Sequence, residues 1–168
     1  MMLGAFENFP ENIHRIDSFK SSLSSQKLQQ KLVEALHEVN RRHFSFEEIN
    51  NPTLHHCTVT FEFGLAENES FNYLDDEEAK RVLDVLRKRA FQVLDFFLAI
   101  RYHRETATGK TPLKFDYYML RFVFAETRVI DVRVFHERGP RYVSPEDVVN
   151  FVEKQVNGAS GRKLLRKI

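Results

Sequence analysis

Apolar residues recur every three or four positions in several stretches of the chain, a spacing typical of amphipathic helices. This spacing predicts a short helix over 11–21, for which a strand is the alternative, and a clearer helix over 25–42. A further helix is predicted from Ser144 to about 157, because Ser144 is a suitable N-cap and a proline and acidic residues follow it. The basic C-terminal tail, 158–168, is interpreted as a short helical segment.

The longest helix is predicted over 76–104, where the helical spacing continues without a break. Acidic residues would cap its start, and Arg101, His103 and Arg104 would complement the negative end of the helix dipole. The stripe that it would bury consists of Val82, Leu86, Ala90, Val93, Phe97 and Ile100. We therefore expect this helix at the centre of the core.

Apolar and polar residues alternate in other stretches, the pattern of strands that have one buried face. Strands are predicted over 44–49, 54–64, 113–125 and 129–137. A turn is predicted at Asn50-Asn51-Pro52, between the first two strands. The alternation indicates antiparallel strands with one face against the core and the other toward solvent.

The register of the hairpin formed by the last two strands follows from its sequence. Its apolar face is continuous when Leu120, Phe122 and Phe124 lie opposite Val134, Val132 and Ile130. A shift by one residue would place the aromatic side chains opposite Asp131 and Arg133. The loop Glu126-Thr127-Arg128 then has an ordinary hairpin length.

These elements together predict one α+β domain over residues 1–168. The expected fold is an antiparallel sheet of about three to five strands packed on a long central helix, with N- and C-terminal helices. The residues expected to be almost fully buried are Leu86, Val93, Phe97, Phe61, Phe122 and Val132. A parallel, doubly wound sheet is excluded because the hairpin at 113–137 requires antiparallel strands.

Composition and charge narrow the class of protein. The chain has 42% hydrophobic residues, which excludes global disorder, and a net charge of +1, which gives no overall attraction to nucleic acid or anionic lipid. A single cysteine, Cys57, excludes an internal disulfide and indicates either a reducing compartment or a lineage that uses little cysteine. The N-terminus lacks the basic region of a signal peptide, and the most apolar window, 90–100, is too short to span a membrane. We therefore expect a cytoplasmic protein with no membrane partner.

Two fragments resemble functional motifs but lack their context. Gly109-Lys110-Thr111 matches the end of a phosphate-binding loop, yet Arg104 stands where that loop needs a glycine, and Pro112 disfavours the helix that should follow. His55-His56-Cys57 could supply metal ligands, but a structural zinc site needs a second close pair, which the other histidines do not form. We predict no nucleotide, no metal and no cofactor.

Residues suited to acid–base catalysis are present without a recognised catalytic motif. They are Asp116, Asp131, His103, Glu105 and His136. His136 lies near the end of the hairpin, and loops on a rigid scaffold often carry function. Solvent exposure explains charged strand ends equally well. A hydrolase-type enzyme is therefore the third hypothesis, and no catalytic residue is assigned.

The reverse face of the hairpin is the predicted interaction surface. It carries residue types that protein interfaces favour, namely Tyr117, Met119, Arg121, Arg133 and Phe135. This face is too apolar for plain solvent surface and too charged for ordinary core. The first hypothesis is therefore a non-catalytic domain that binds itself, as a homodimer, or another protein. The alternative is that a helix covers this face and Arg121 pairs with Asp131.

Binding of RNA or single-stranded DNA is the second hypothesis. Tyr117 and Phe135 beside arginines are typical of a surface that stacks bases. Basic residues that could contact phosphates are Arg138, Arg141, Arg162, Lys163, Arg166 and Lys167. Against it stand the net charge near zero, the absence of a recognised RNA-binding motif, and the helix-dipole role expected for Arg101 and Arg104. Nucleic acid is therefore the less favoured partner.

Overall fold

A computed structural model of the chain describes residues 3–49, 57–125, 127–159 and 161–168, without the side chains of Glu47, Glu105 and Leu113. Three helices and eight strands follow one another as β1 (Arg15–Ser21), α1 (Ser25–Asn40), β2 (His43–Ser45), β3 (Cys57–Glu67), β4 (Ser70–Tyr73), α2 (Asp76–Leu86), β5 (Val93–Thr106), β6 (Gly109–Phe124), β7 (Val129–Arg138), α3 (Pro145–Ala159) and β8 (Leu165–Lys167). A 3-10 turn over Phe46–Glu48 follows β2.

Some predicted features lie outside the described residues. They are the turn at Asn50-Asn51-Pro52, the first part of the strand predicted over 54–64, His55, His56 and the loop residue Glu126. None of the helices in the described part of the chain is long and apolar enough to cross a membrane.

The strands form one antiparallel sheet. Its order is β2, β3, β5, β6, β7, β1 and β8, and β4 pairs with the far end of β3. The N-terminal segment joins the same sheet through a bridge between Leu3 and Glu67. Gly4 continues this pairing, since its N–H donates to Ala66 O and its carbonyl accepts from Asp95 N. The segment thus fills the gap that opens where β3 diverges from β5.

The three helices pack on one face of this sheet and enclose the core. Phe151 of α3 stacks on Phe61 of β3 with ring centroids 4.3 Å apart, and α1 and α2 contribute to the same hydrophobic cluster. A half-buried side-chain amide joins helix to sheet: Asn40 Nδ2 donates to Phe63 O, and Asn40 Oδ1 accepts from Phe63 N. The opposite side of the sheet, called the outer face, presents Ile16, Ser18, Asp95, Phe97, Arg101, Phe115, Tyr117, Met119, Arg121, Asp131, Arg133 and Phe135.

The predicted fold class is wrong. Among the described residues the sheet has eight strands, and the segment expected to be one central helix is helical only over Asp76–Leu86 and forms strand β5 from Val93 onward. From Leu94 to Tyr102 every second side chain is fully buried, which is the period of a strand. Aromatic and β-branched residues are dense in this stretch, and they favour the strand over the helical spacing that the same apolar residues also satisfy.

Several smaller predictions are also corrected. The segment 11–21 is strand β1, which was the alternative, and the C-terminal tail forms strand β8 rather than a helix. Val93 and Phe97 are only half-buried because they point to the outer face. The other four predicted core residues, Leu86, Phe61, Phe122 and Val132, are almost fully buried. The helices predicted over 25–42 and 144–157 correspond to α1 and α3.

The predicted register of the hairpin β6–β7 is confirmed. Leu120 pairs with Val134, Phe122 with Val132 and Phe124 with Ile130, and all six side chains are buried under the helices. A bulge between Tyr117 and Tyr118 shifts the pairing at the end of the hairpin. The five residues of the predicted interaction surface therefore lie on one side of the sheet, as the alternation of side chains along β6 and β7 predicted.

Candidate functional site

A row of aromatic rings crosses the outer face from β4 to β6. Ring centroids are 5.6 Å apart for Phe71 and Phe97, 5.7 Å for Phe97 and Tyr117, and 6.1 Å for Tyr117 and Phe115. Phe115 is 37% exposed, an unusual exposure for a phenylalanine. The row gives a partly apolar strip on the side of the sheet opposite the helices, in which the rings of Phe115 and Tyr117 are nearly parallel and the others are tilted. Strand alternation explains it, because each ring belongs to the residue set that points away from the core.

Arginine side chains lie on these rings. The guanidinium carbon of Arg138 is 4.7 Å from the centroid of Tyr117, and that of Arg101 is 5.1 Å from the centroid of Phe115. Arg101 also forms an ion pair with Glu62. Planar cations over aromatic faces are favourable contacts, and they leave the charge at the surface. The strip therefore combines ring faces with exposed guanidinium groups.

The paired ends of β5 and β6, residues 103–114, form a basic hairpin arm beside the aromatic row. His103 is half-buried, and Arg104, Lys110 and Lys114 are exposed. In the register, Lys110 lies opposite Glu105, while Arg104 lies opposite Thr111. The expected helix-dipole role of Arg101 and Arg104 is wrong, because both residues belong to strand β5 and no helix ends there.

The middle of the outer face contains a buried ion pair. Asp95 is fully buried, and its carboxylate accepts from Arg121 Nε and Nη2, each at 2.8 Å, and from Phe6 N at 2.6 Å. Arg121 Nη2 also donates to Phe6 O, and its guanidinium lies over the ring of Phe9. The alternative in which Arg121 pairs with Asp131 is therefore wrong, because Arg121 pairs with Asp95. The N-terminal segment, rather than a helix, covers this part of the face.

The five residues of the predicted interaction surface are brought together, in different environments. Met119 is buried, and Arg121 is neutralised by Asp95. Phe135 stacks on His14 with centroids 4.8 Å apart and an angle of 10° between the rings. Tyr117 lies in the aromatic row, and Arg133 is half-buried beside Arg121. Sequence reasoning missed Phe97, Phe115 and Arg101 as members of this surface, because it placed the first and last in a helix.

The predicted phosphate contacts divide into separate groups. Arg138 belongs to the aromatic strip, and Arg141 is exposed in the loop that follows β7. Arg166 lies opposite Lys20 at the sheet edge, whereas Lys167 turns toward α3 and donates to Asn150 Oδ1. The remaining two, Arg162 and Lys163, border a cleft beside α3. The C-terminal tail is therefore not continuous with the strip.

Two of the five acid–base candidates meet in a buried polar cluster on the helical side of the sheet. Asp116 is fully buried and accepts from His136 Nε2 at 2.8 Å, Tyr102 Oη at 2.6 Å, Arg141 N at 2.6 Å and Tyr142 N at 3.0 Å. Four donors satisfy both carboxylate oxygens, so this group is held as a structural anchor and not free to accept a substrate proton. Burial raises the pKa of Tyr102, and the neighbouring Tyr118 and Asp116 add to that shift.

A glycine allows the loop after β7 to close over this cluster. A Cβ atom on Gly139 would lie 2.3 Å from Phe115 O and 2.5 Å from Asp116 Oδ1, and its φ of +116° is one that L side chains rarely adopt. The other candidates are separate: Asp131 accepts from Ser18 Oγ, and His103 lies in the hairpin arm. The side chain of Glu105 is not described. The structure thus gives no reason to assign a catalytic residue.

Two histidines on the outer side are expected to titrate below the ordinary value of 6.5. Burial is the main cause for both; Arg141 and His136 also lower the pKa of His14, and Lys110, Arg101 and His43 lower that of His103. Since the folded pKa is lowered, the neutral imidazole contributes stability that is present above pH 6.5 and lost as the pH falls through the folded pKa, a contribution that is small for the exposed His14. NMR titration of the ring protons measures both values. A pKa above 6.5 for either ring would contradict this expectation.

Within the described ranges, no group of three or more His, Cys, Asp or Glu side chains is arranged to hold a metal ion. Cys57 is a buried free thiol, and the neighbouring His55 and His56 lie outside the described residues. No protein-family model matches the sequence, and no curated protein or solved structure matches it either.

Proposed function

We propose that this protein is a non-catalytic binding protein for single-stranded nucleic acid, either RNA or single-stranded DNA. The observation that carries the proposal is the aromatic row of the outer face with Arg101 and Arg138 placed on its rings. Unpaired bases stack on aromatic side chains and on guanidinium planes, so one strip of this kind offers both surfaces. The hairpin arm supplies further cations beside the strip for the sugar-phosphate backbone.

The net charge of +1 does not exclude a local cluster of cations. Arg101 and Arg138 on the strip and Arg104, Lys110 and Lys114 in the hairpin arm are all exposed. The helices also carry exposed cations, so the support for the proposal is the placement of these five cations beside the rings and not an overall asymmetry of charge. One of the three arguments against nucleic-acid binding was the helix-dipole role expected for Arg101 and Arg104. This argument no longer applies, because both residues lie in strand β5.

A second copy of the chain is the less suitable partner for the strip. A two-fold contact places the same surface on both sides, so residues near the axis meet their own counterparts. Arg101 and Arg138 lie on the rings, and a two-fold axis passing close to Arg138 would bring like charges together. A polyanion meets the same groups favourably. Self-association is therefore treated as the competing outcome of the test.

A cytoplasmic location is part of the proposal. Its support is the single cysteine, Cys57, whose buried thiol is free. A chain with one reduced cysteine suits a reducing compartment, in which single-stranded RNA is also available.

The proposal predicts that truncating two rings of the strip weakens binding. Phe115→Ala with Tyr117→Ala should reduce the affinity for a labelled single-stranded oligonucleotide by about thirtyfold or more, since two rings are removed and stacking is worth about 1–3 kcal/mol per base. Fluorescence anisotropy at about 50 mM and 200 mM salt measures both the affinity and its salt dependence. Because Phe115 is partly exposed, we expect the double variant to remain folded.

Lys154→Ala provides the matched control. Lys154 is an exposed cation of α3 on the helical side, so its loss should leave the affinity nearly unchanged. Light scattering in the same buffers gives the oligomeric state. A dimer that does not bind the oligonucleotide, and that dissociates in the double variant, would replace this proposal with self-association through the same face.

A further inference from the structure

We propose that Arg133 forms a phosphate-binding site at the centre of the outer face, an inference that rests on the proposed function for the identity of its natural ligand. Arg133 lies in the middle of β7, directly opposite Arg121 of β6 and Ile16 of β1. Its side chain is half-buried, and Nε has no hydrogen-bond partner within the described part of the chain although it is shielded from solvent. A shielded guanidinium N–H without an acceptor is rare in folded proteins.

The nearby carboxylates are engaged elsewhere. Asp131 points to the same face two residues before Arg133, but its Oδ1 accepts from Ser18 Oγ at 2.6 Å. Asp95 is occupied by Arg121 and by Phe6 N. Arg133 forms no ion pair with any described carboxylate, and its charge is therefore not compensated within the described residues. Arg121 directly opposite is neutralised by Asp95, so the two guanidinium groups differ in what they can bind.

An anion with several acceptor oxygens would complete this site. The guanidinium presents Nε and Nη groups in a planar fork that matches two oxygens of a phosphate. Because Nε is shielded, the Arg133 side chain would have to turn toward Ile16, which lies directly across the strand pair and is 54% exposed, to present this N–H to a phosphate. If a bound nucleic-acid strand stacked its bases on Tyr117 and Phe115, one of its backbone phosphates would reach Arg133 along the same face of the sheet. Stacking would then position the chain, and Arg133 would hold one backbone phosphate.

The first test observes the Nε–H of Arg133 directly. Its ¹⁵N–¹H resonance is assigned as the one that Arg133→Lys removes. Titration with inorganic phosphate, and separately with pyrophosphate, should shift this resonance and reach saturation, whereas chloride at the same ionic strength should not. A resonance that never moves, or that follows ionic strength alone, overturns the phosphate site.

The second test uses the oligonucleotide. Arg133→Met should reduce the slope of log affinity against log salt by about one, because one phosphate contact is lost. Arg87→Met, which removes one exposed cation next to α2, is the matched control and should leave the slope unchanged. Arg133→Met removes an unpaired buried donor, so its melting temperature should not fall, and Arg133→Lys provides a second folded variant.

The two proposals fail differently. If phosphate shifts the Nε–H resonance but no oligonucleotide binds, the anion site is supported and the proposed function is wrong. If the oligonucleotide binds with an unchanged salt slope in Arg133→Met, and phosphate leaves the resonance in place, the role of Arg133 is wrong and the proposed function stands.

Discussion

Replacing Asp116 by alanine is expected to lower the free energy of unfolding by about 3–5 kcal/mol. The carboxylate is fully buried and accepts from His136, Tyr102, Arg141 and Tyr142. Its removal leaves several buried donors without acceptors, each of which costs about 1–3 kcal/mol when nothing replaces the bond. Urea denaturation followed by circular dichroism measures the change. The loss should be accompanied by faster amide exchange in the loop after β7.

Asp84→Ala is the control for this measurement. Asp84 is exposed and pairs with Arg87 three residues later, so its loss should change the free energy of unfolding by no more than about 0.5 kcal/mol. Asp116→Asn keeps the size of the side chain and one acceptor oxygen, and it should fall between the two. If Asp116→Ala costs less than about 1 kcal/mol, the cluster is not a structural anchor, and His136 with Asp116 becomes the site to test for catalysis.

Replacing Asp95 by alanine is expected to lower the free energy of unfolding by about 2–4 kcal/mol. This loss is smaller than that expected for Asp116→Ala, because Arg121 retains partial contact with solvent. The substitution leaves the guanidinium of Arg121 uncompensated and removes the acceptor of Phe6 N. The N-terminal segment should therefore detach first. Hydrogen exchange at Gly4, whose N–H donates to Ala66 O, reports this detachment apart from global unfolding.

A double-mutant cycle isolates the ion pair. Asp95→Ala with Arg121→Met should cost less than the sum of the two single changes, with a coupling of about 1–3 kcal/mol, because neither charge is then left alone. Additive single effects would show that the pair contributes little. Preserved exchange protection at Gly4 in Asp95→Ala would show that the N-terminal segment is held by its backbone bonds alone.

The sequence pattern predicted the structure correctly in segments where only one type of secondary structure fits the spacing of all the apolar residues. The hairpin β6–β7 is such a case: the alternation on both strands allowed one register, and the pairing of Phe122 with Val132 confirms it. The segment 93–104 is the opposite case. Its apolar residues satisfy both the helical spacing and the two-residue period, and only pairing with β3 and β6 makes the strand the stable choice.

Which residues are expected on the outer face depends on whether 93–104 is taken as a helix or as a strand. With 93–104 read as a helix, Phe97 was assigned to the core and Arg101 to a helix end, so the aromatic strip could not be recognised. Asp116 and His136 were both named as candidates, but their contact depends on how the chain folds back after Gly139. Alternation along single strands carries no information about contacts of this kind.

The proposal that the outer face binds single strands is tested most directly by NMR mapping with an oligonucleotide of about ten nucleotides, within the site sizes known for single-strand binders. The expected result is that amide shifts are concentrated in β5, β6 and β7 around Arg101, Tyr117 and Arg133, while the exposed amides of α1 and α3 stay in place. Shifts confined to α1 and α3, or an unchanged spectrum at saturating oligonucleotide, would contradict it.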